Sequence, residues 1–386
     1  MRSKPVKIWF LDHSPDIGGG EMALLHVVPE LPANFDVEIV APDGDFARAA
    51  EGRGLTVRRL TAKYRNLGLG TTQNPAISRK LGALKSIAGL FFQIRREVLA
   101  SSPDLLYCNT LRMCLVGGIV GKLYKTPVIW HVRDSLAYPY VGRFTSSMLH
   151  LAMRATASTV VANSLYTAGQ LRGIDSTVVG SPIADDFFTD VRPLQPERVA
   201  KDFVMVGRFA PWKGQLEAVQ AFALAFPEGE QRLVLVGGAL FEESVYMERV
   251  RKEAVDLGVA KRVEFLGHSD DVVVLMRSAR AVVHASTLPE PLGQVTIQAS
   301  ALGRPLIVAD AGGPADLFED EVNAKMHTPG DVRSLAAALN WIVDHPGDSE
   351  LMGSRAREVA EPYRLCAITP QTELVVSRTL NLKIVD

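Results

Sequence analysis

Cysteine is nearly absent from this chain. Its 386 residues hold three, Cys108, Cys114 and Cys366. The number is odd and the spacing fits no metal-ligand pattern, so neither a disulfide framework nor a zinc site is expected. Such cysteine usage suits a reducing, cytoplasmic setting. Long apolar runs are missing as well. The longest candidates, near Leu115–Val120 and Val128–Trp130, stop far short of the roughly 20 residues that a membrane span needs. The apolar run after Arg2, Lys4 and Lys7 ends at Asp12, which reads as a first strand and not as a signal peptide. Aromatics make up 7% and the formal net charge is −1, a poor match to a nucleic-acid partner. Hydrophobic residues are not scarce: at 47% they suffice for two cores, on a length of about two domains.

The small net charge hides an uneven distribution. Residues 1–190 hold 21 Lys and Arg against 16 Asp and Glu, and no acid occurs between Glu51 and Glu97. Arg58, Arg59, Lys80, Lys85, Arg95 and Arg96 all fall in that gap. There Leu81, Leu84, Ile87, Ala88, Leu90, Phe91 and Ile94 recur at helical spacing. The segment has two readings: an ordinary solvated surface helix, or a basic amphipathic helix lying on an anionic membrane.

Short β-branched runs alternate with helical patterns twice over. Strands are expected at Lys7–Leu11, Asp36–Val40, Leu105–Asn109, Val128–Val132 and Thr159–Ala162. A second set follows at Phe203–Val206, Arg232–Val236, Arg262–Phe265, Ala281–Ala285 and Pro305–Ala309. Such runs suit parallel strands buried on both faces, hence two open α/β sheets with ligand groups at the strand C-termini. Asp185–Val199, with Pro193 and Pro196 among polar residues, reads as the linker. The expected organisation is an N-terminal acceptor-binding domain over 1–190, a C-terminal donor-binding domain over 191–365, and a tail over 366–386 crossing back.

Two segments of the second half carry most of the chemistry. The first, Gly207-Arg208-Phe209-Ala210-Pro211-Trp212-Lys213-Gly214, puts two cations in a loop after a strand, where they could neutralise a diphosphate. The second, Ser286–Gly303, follows a buried strand and opens a helix near Gly293. Glu290 there could accept hydrogen bonds from sugar hydroxyls, and the helix N-terminus offers unpaired N–H groups. Together they read as a site for a nucleotide-diphosphate sugar. In the first half, Gly18-Gly19-Gly20 would let the backbone approach a phosphate closely. His131, at a strand's C-terminal end with Asp134 nearby, is a candidate for holding substrate. Asp43-Gly44-Asp45 resembles a metal-holding D-x-D but reads better as a turn, so no metal is expected.

These residues carry a resemblance along nearly the whole chain. G-R-x4-K-G at Gly207–Gly214, P-E-P-L-G at Pro289–Gly293, A-L-G-R-P-L-I at Ala301–Ile307 and G-G-P-A-D at Gly312–Asp316 resemble the retaining GT-B glycosyltransferases of family 4, or group 1 transferases. The resemblance implies two Rossmann-like parallel-sheet domains facing a central cleft. It implies that Arg208 and Lys213 hold the diphosphate, and that Glu290 with the amides of Leu292, Gly293, Gln294 and Val295 holds the transferred sugar. His131 would sit at the reacting centre, and the Gly18–Gly20 loop would face the phosphates. The family's second signature acid, which binds ribose hydroxyls, is Gln298 here; a neutral acceptor in place of a charged one implies about tenfold weaker donor binding.

The expected activity is therefore metal-independent, cofactor-free transfer of a sugar to a glycan or lipid-linked acceptor, with anomeric retention, in cell-envelope or exopolysaccharide assembly. The setting would be the cytoplasm, with peripheral contact to the inner face of an anionic membrane. A nucleotide-sugar epimerase, or a nucleotide-sugar-binding protein with a decayed site, remains open as an alternative.

Overall fold

The computed structural model describes residues 5–61, 77–189, 202–239 and 243–382, with side chains from Ser86 onward in the helix that starts at Ile77. The chain divides into two compact units, residues 1–182 with 365–386, and residues 183–364.

The first unit is built on seven parallel strands: β1 (Val6–Leu11), β2 (Phe35–Pro42), β3 (Thr56–Leu60), β4 (Leu105–Cys108), β5 (Val128–Val132), β6 (Thr159–Ala162) and β7 (Thr177–Val178). Their order is β3-β2-β1-β4-β5-β6-β7. Every residue of β4 and β5 is buried, as continuous apolar runs between two helical layers require. On one face, helices 77–101, 111–124 and 143–156 cover Trp9, Leu106 and Trp130. On the other, helices 19–27 and 45–52 close over Phe10, Ile39 and Tyr107. The helix Leu365–Thr379 joins that second layer, burying Ile368, Val375 and Val376. Each such side chain contributes about 1.5–3 kcal/mol when fully buried, so the end of the chain is a structural part of this unit.

The inward stripe of the amphipathic pattern in 77–101 holds the helix in place. Leu90 and Ile94 are fully buried, and Ile87 and Phe91 pack against the same core. The stripe is this helix's anchor to the sheet. Leu81, Leu84, Lys80 and Lys85 lie outside the described side chains.

The second unit repeats the plan with β8 (Asp202–Val206), β9 (Arg232–Val236), β10 (Val263–Gly267), β11 (Ala281–His284), β12 (Leu306–Ala309) and β13 (Lys325–His327). All pair in parallel, in the order β10-β9-β8-β11-β12-β13. The chain joins this unit at Ile183, which is buried and donates its N–H to the Tyr363 carbonyl at 2.8 Å. The first residues of the expected linker, Asp185–Phe188, form a short 3-10 turn. From it Phe187 and Phe188 enter a core shared with Leu292, Ile297 and Phe318. The rest of that linker, from Asp190 on, lies outside the described residues.

In both sheets the strand order reverses beside the first strand, between β1 and β4 and between β8 and β11. Chains leaving such a pair of strands run to opposite faces of the sheet and open a crevice at the strands' C-terminal ends.

Candidate active site

Lys213 and Glu290 flank the crevice of the second sheet, one following β8 and the other following β11. Lys213 closes a 3-10 turn, Pro211–Lys213, and Gly214 follows at φ 81°. A Cβ on Gly214 would lie 1.9 Å from the Ala285 carbonyl oxygen, so only glycine lets the β8 loop sit this close to the end of β11. On the other side, the Gly313 N–H donates to the Glu290 carbonyl at 2.8 Å. A Cβ on Gly312, at φ 72°, would strike the same carbonyl at 2.3 Å. The Pro289–Gly293 loop is thereby clamped against the loop after β12.

The two side chains meet. Lys213 Nζ donates to Glu290 Oε1 at 2.8 Å, and His284 Nε2 lies 3.0 Å from the same oxygen. The Ser286 hydroxyl donates to it as well. His284 Nδ1 accepts from the Ala309 N–H at 3.4 Å, which leaves the ring's proton on Nε2, directed at Glu290. Glu290 is buried. Burial alone would raise its pKa, but the Lys213 ammonium, then His284, outweigh that and hold the carboxyl well below its usual range. The group is ionised throughout the neutral range. Its partners converge on Oε1, and the Lys213 ammonium also stands 4.5 Å from the centre of the Trp212 ring.

Arg208 is placed apart from this cluster. It is exposed, with Nε 3.4 Å from Glu243 Oε1. Gly293 takes a left-handed conformation (φ 72°) as N-cap of the helix Gln294–Ala301, whose first N–H groups have no partner inside the helix. The Leu292 side chain is buried in the core, so that residue can offer a ligand only its backbone. Val295 packs partly against the same core, while Gln294 and Gln298 are half-buried.

The first sheet's crevice holds a second polar group. Asp12 follows β1 and Asn109 follows β4, and the Asn109 amide donates to Asp12 Oδ2 at 2.8 Å. Asn109 Oδ1 in turn accepts from Arg133 Nε at 2.7 Å, and Arg133 Nη1 donates to Ser181 at 2.7 Å. The Gly18–Gly20 loop opens the helix Gly19–Val27 beside them, and the Gly18 N–H donates to Glu21 Oε2 at 2.9 Å. That amide already has a protein acceptor. Gly20 packs on the Arg133 stem; a Cβ there would lie 3.3 Å from Arg133 Cδ. Burial and the neighbouring Asp12 push the Glu21 carboxyl up to about 8, and burial raises Asp12 too.

His131 is the second-last residue of β5, and its Nε2 has no hydrogen-bond partner among the described residues. It lies within β5, 1% exposed, with Nδ1 2.7 Å from the Tyr107 hydroxyl on β4. Burial, with Arg133 adding to it, keeps the ring neutral. Arg133, two residues on, lies just past the strand's end. Arg133 was missed, as were His284 and Ser286. The available signal was a histidine within the expected strand Ala281–Ala285, six residues before Glu290. Asp43 and Asp45 of the D-x-D pair with Arg59 and Arg48. Among the described residues no three His, Cys, Asp or Glu side chains gather as a metal site.

Residues 189–359 match the family model for glycosyl transferases group 1, and residues 18–179 match that for a glycosyl transferase 4-like domain. The chain belongs to the group 1 glycosyltransferases. This group 1 chain is 29% identical over 202 residues to the D-inositol 3-phosphate glycosyltransferase of Corynebacterium glutamicum, covering 50% of the chain and 46% of that protein. It is 26% identical over 272 residues to the glycogen synthase of Mycobacterium tuberculosis, covering 66% and 64%. The chain thus spans about half to under two thirds of these curated relatives. Among solved structures it resembles HepE of Anabaena in complex with UDP-glucose. The TM-score is 0.80 at 27% identity, over 96% of this chain and 99% of that one. The two Rossmann-like parallel-sheet units are those of the GT-B class expected from the motifs.

Proposed function

We propose that this group 1 glycosyltransferase transfers a sugar from a nucleotide-diphosphate donor, with retention and without a metal, to a glycan or lipid-linked acceptor. Cell-envelope or exopolysaccharide assembly is the setting that suits such an acceptor. One observation carries the reading. A buried carboxylate is held ionised by an ammonium at the crossing point of the second sheet, beside the N-terminus of the helix Gln294–Ala301. Lys213 gives one N–H to Glu290, and an ammonium has three donors, so two remain for a diphosphate oxygen. Glu290 concentrates its protein partners on Oε1, so Oε2 is the oxygen for sugar hydroxyls. As the sugar–phosphate bond breaks, charge grows on the leaving diphosphate, and Lys213 stabilises it where it develops. Arg208, on the exposed loop after β8, is the second cation for that charge. In the first unit, His131, through its unpartnered Nε2, is the group for the reacting centre, with Arg133 just beyond the strand's end beside it in sequence. The UDP-glucose bound by HepE favours a nucleotide-sugar donor.

The test is nucleotide diphosphate release from UDP-, GDP-, ADP- and dTDP-sugars, with and without chelator. Release from one donor, unchanged by chelator, is the expected result. No release, together with no thermal shift from any nucleotide, would replace the proposal with a decayed site. Isomerised donor without release would replace it with an epimerase.

A further inference from the structure

Unit one has two helical layers, and they differ in what they show to solvent. In the layer of helices 77–101, 111–124 and 143–156, the middle helix packs against both others. Across the three helices Phe92, Leu99, Ile119, Leu123, Phe144 and Leu151 are each between 46 and 80% exposed. These are not the anchoring positions, which point inward as Leu90, Ile94, Val116, Val120, Leu149 and Met153. In the opposite layer, helices 19–27, 45–52 and 365–379, no large apolar side chain reaches that exposure. Exposed apolar side chains gathered on adjoining helices in this way mark a contact with something other than water.

Charge says what that is. Helices 111–124 and 143–156 contain no acid, and helix 77–101 contains only Glu97, which is tied to Arg58 and Arg96. Exposed Arg96, Lys122, Lys125, Arg143 and Arg154 lie on or just beside the same helices. A second copy of this face would set like charges against each other, whereas anionic lipid headgroups would meet cations while the apolar side chains enter the acyl boundary. We propose that the outer face of this three-helix layer is a docking surface for membranes containing anionic lipid. The proposal extends the lipid-linked acceptor reading, but it is tested by vesicle binding and not by turnover, so each can fail without the other.

The full chain would be floated with vesicles of phosphatidylcholine alone and of phosphatidylcholine mixed with phosphatidylglycerol. Wild type should co-float with the mixed vesicles only. Phe144→Ser with Leu151→Ser, and separately Lys122→Glu with Arg154→Glu, should each reduce the bound fraction severalfold. Thermal melts should stay near wild type, since all four side chains are exposed; if one pair unfolds, the other decides. No binding to mixed vesicles, or binding unchanged in a folded pair, would overturn the proposal. So would a concentration-dependent dimer, without vesicle binding, that the substitutions dissolve; the face would then be a self-interface.

Discussion

At the crossing point of the first sheet a carboxylate, Asp12, is bridged to an amide, Asn109; at that of the second, Glu290 is bridged to an ammonium, Lys213. Strand order and connection are the same, and in both places the acid is buried. The outcomes are opposite. Without a directly paired cation, burial drives Asp12 and its neighbour Glu21 toward the protonated form. With Lys213 and His284 in contact, Glu290 stays ionised in spite of burial. Topology supplies the place for a polar group, and the partner at hydrogen-bond distance decides its charge.

The sharpest way to break this contrast is to remove the ammonium. Lys213→Ala should lower donor turnover by about 10²–10³-fold. It also strands a buried carboxylate, costing roughly 3–5 kcal/mol of stability. The double variant Lys213→Ala with Glu290→Gln should recover much of that stability in a thermal melt while staying inactive. If the double variant is as unstable as the single one, the coupling between the two residues is not what holds the loop. In the first unit, Arg133→Met should cost about ten- to hundredfold in turnover, on the scale of one or two charged hydrogen bonds. A folded Arg133→Met protein with wild-type turnover would leave the first crevice without a part in the reaction.

Smaller changes sharpen the comparison. Gln298→Glu should tighten donor binding by about tenfold, the difference between a neutral and a charged acceptor; calorimetric titration with the donor would read it, and unchanged affinity would remove Gln298 from the ribose contact. The smallest effect is on pH dependence. Glu21 keeps its proton in the folded state up to about 8, against 4.5 for the free group, so the folded protein binds more protons between those values and loses stability as pH rises through them. Glu21→Gln removes that loss. Its melting temperature relative to wild type should therefore climb between pH 4.5 and 8, and a flat difference would mean that Glu21 titrates normally.

Much of this was legible in the sequence, and what was not had a physical reason. The ten expected strands were all found, most of them because strands buried on both faces must be apolar throughout. The three that were missed, β3, β7 and β13, lie at or near sheet edges: β3 carries Arg58 and Arg59, and β7 has two residues. Lys213 and Glu290 were visible as site residues, but not as partners 77 positions apart. The surroundings of His131 were hidden for the same reason, since the Tyr107 hydroxyl that meets its Nδ1 belongs to another strand, while its buried Nε2 has no partner among the described residues. Nothing local distinguishes a histidine that will be solvated from one that will find a neighbour.

The return of helix 365–379 to the first unit has a consequence for the order in which the protein can form on the ribosome. Residues 183–364 are one unbroken stretch, able to complete their core as soon as they emerge. The earlier-made sheet must wait for Ile368, Val375 and Val376, with one flank of its core uncovered while the whole intervening unit is translated. The segment synthesised first is the one finished last.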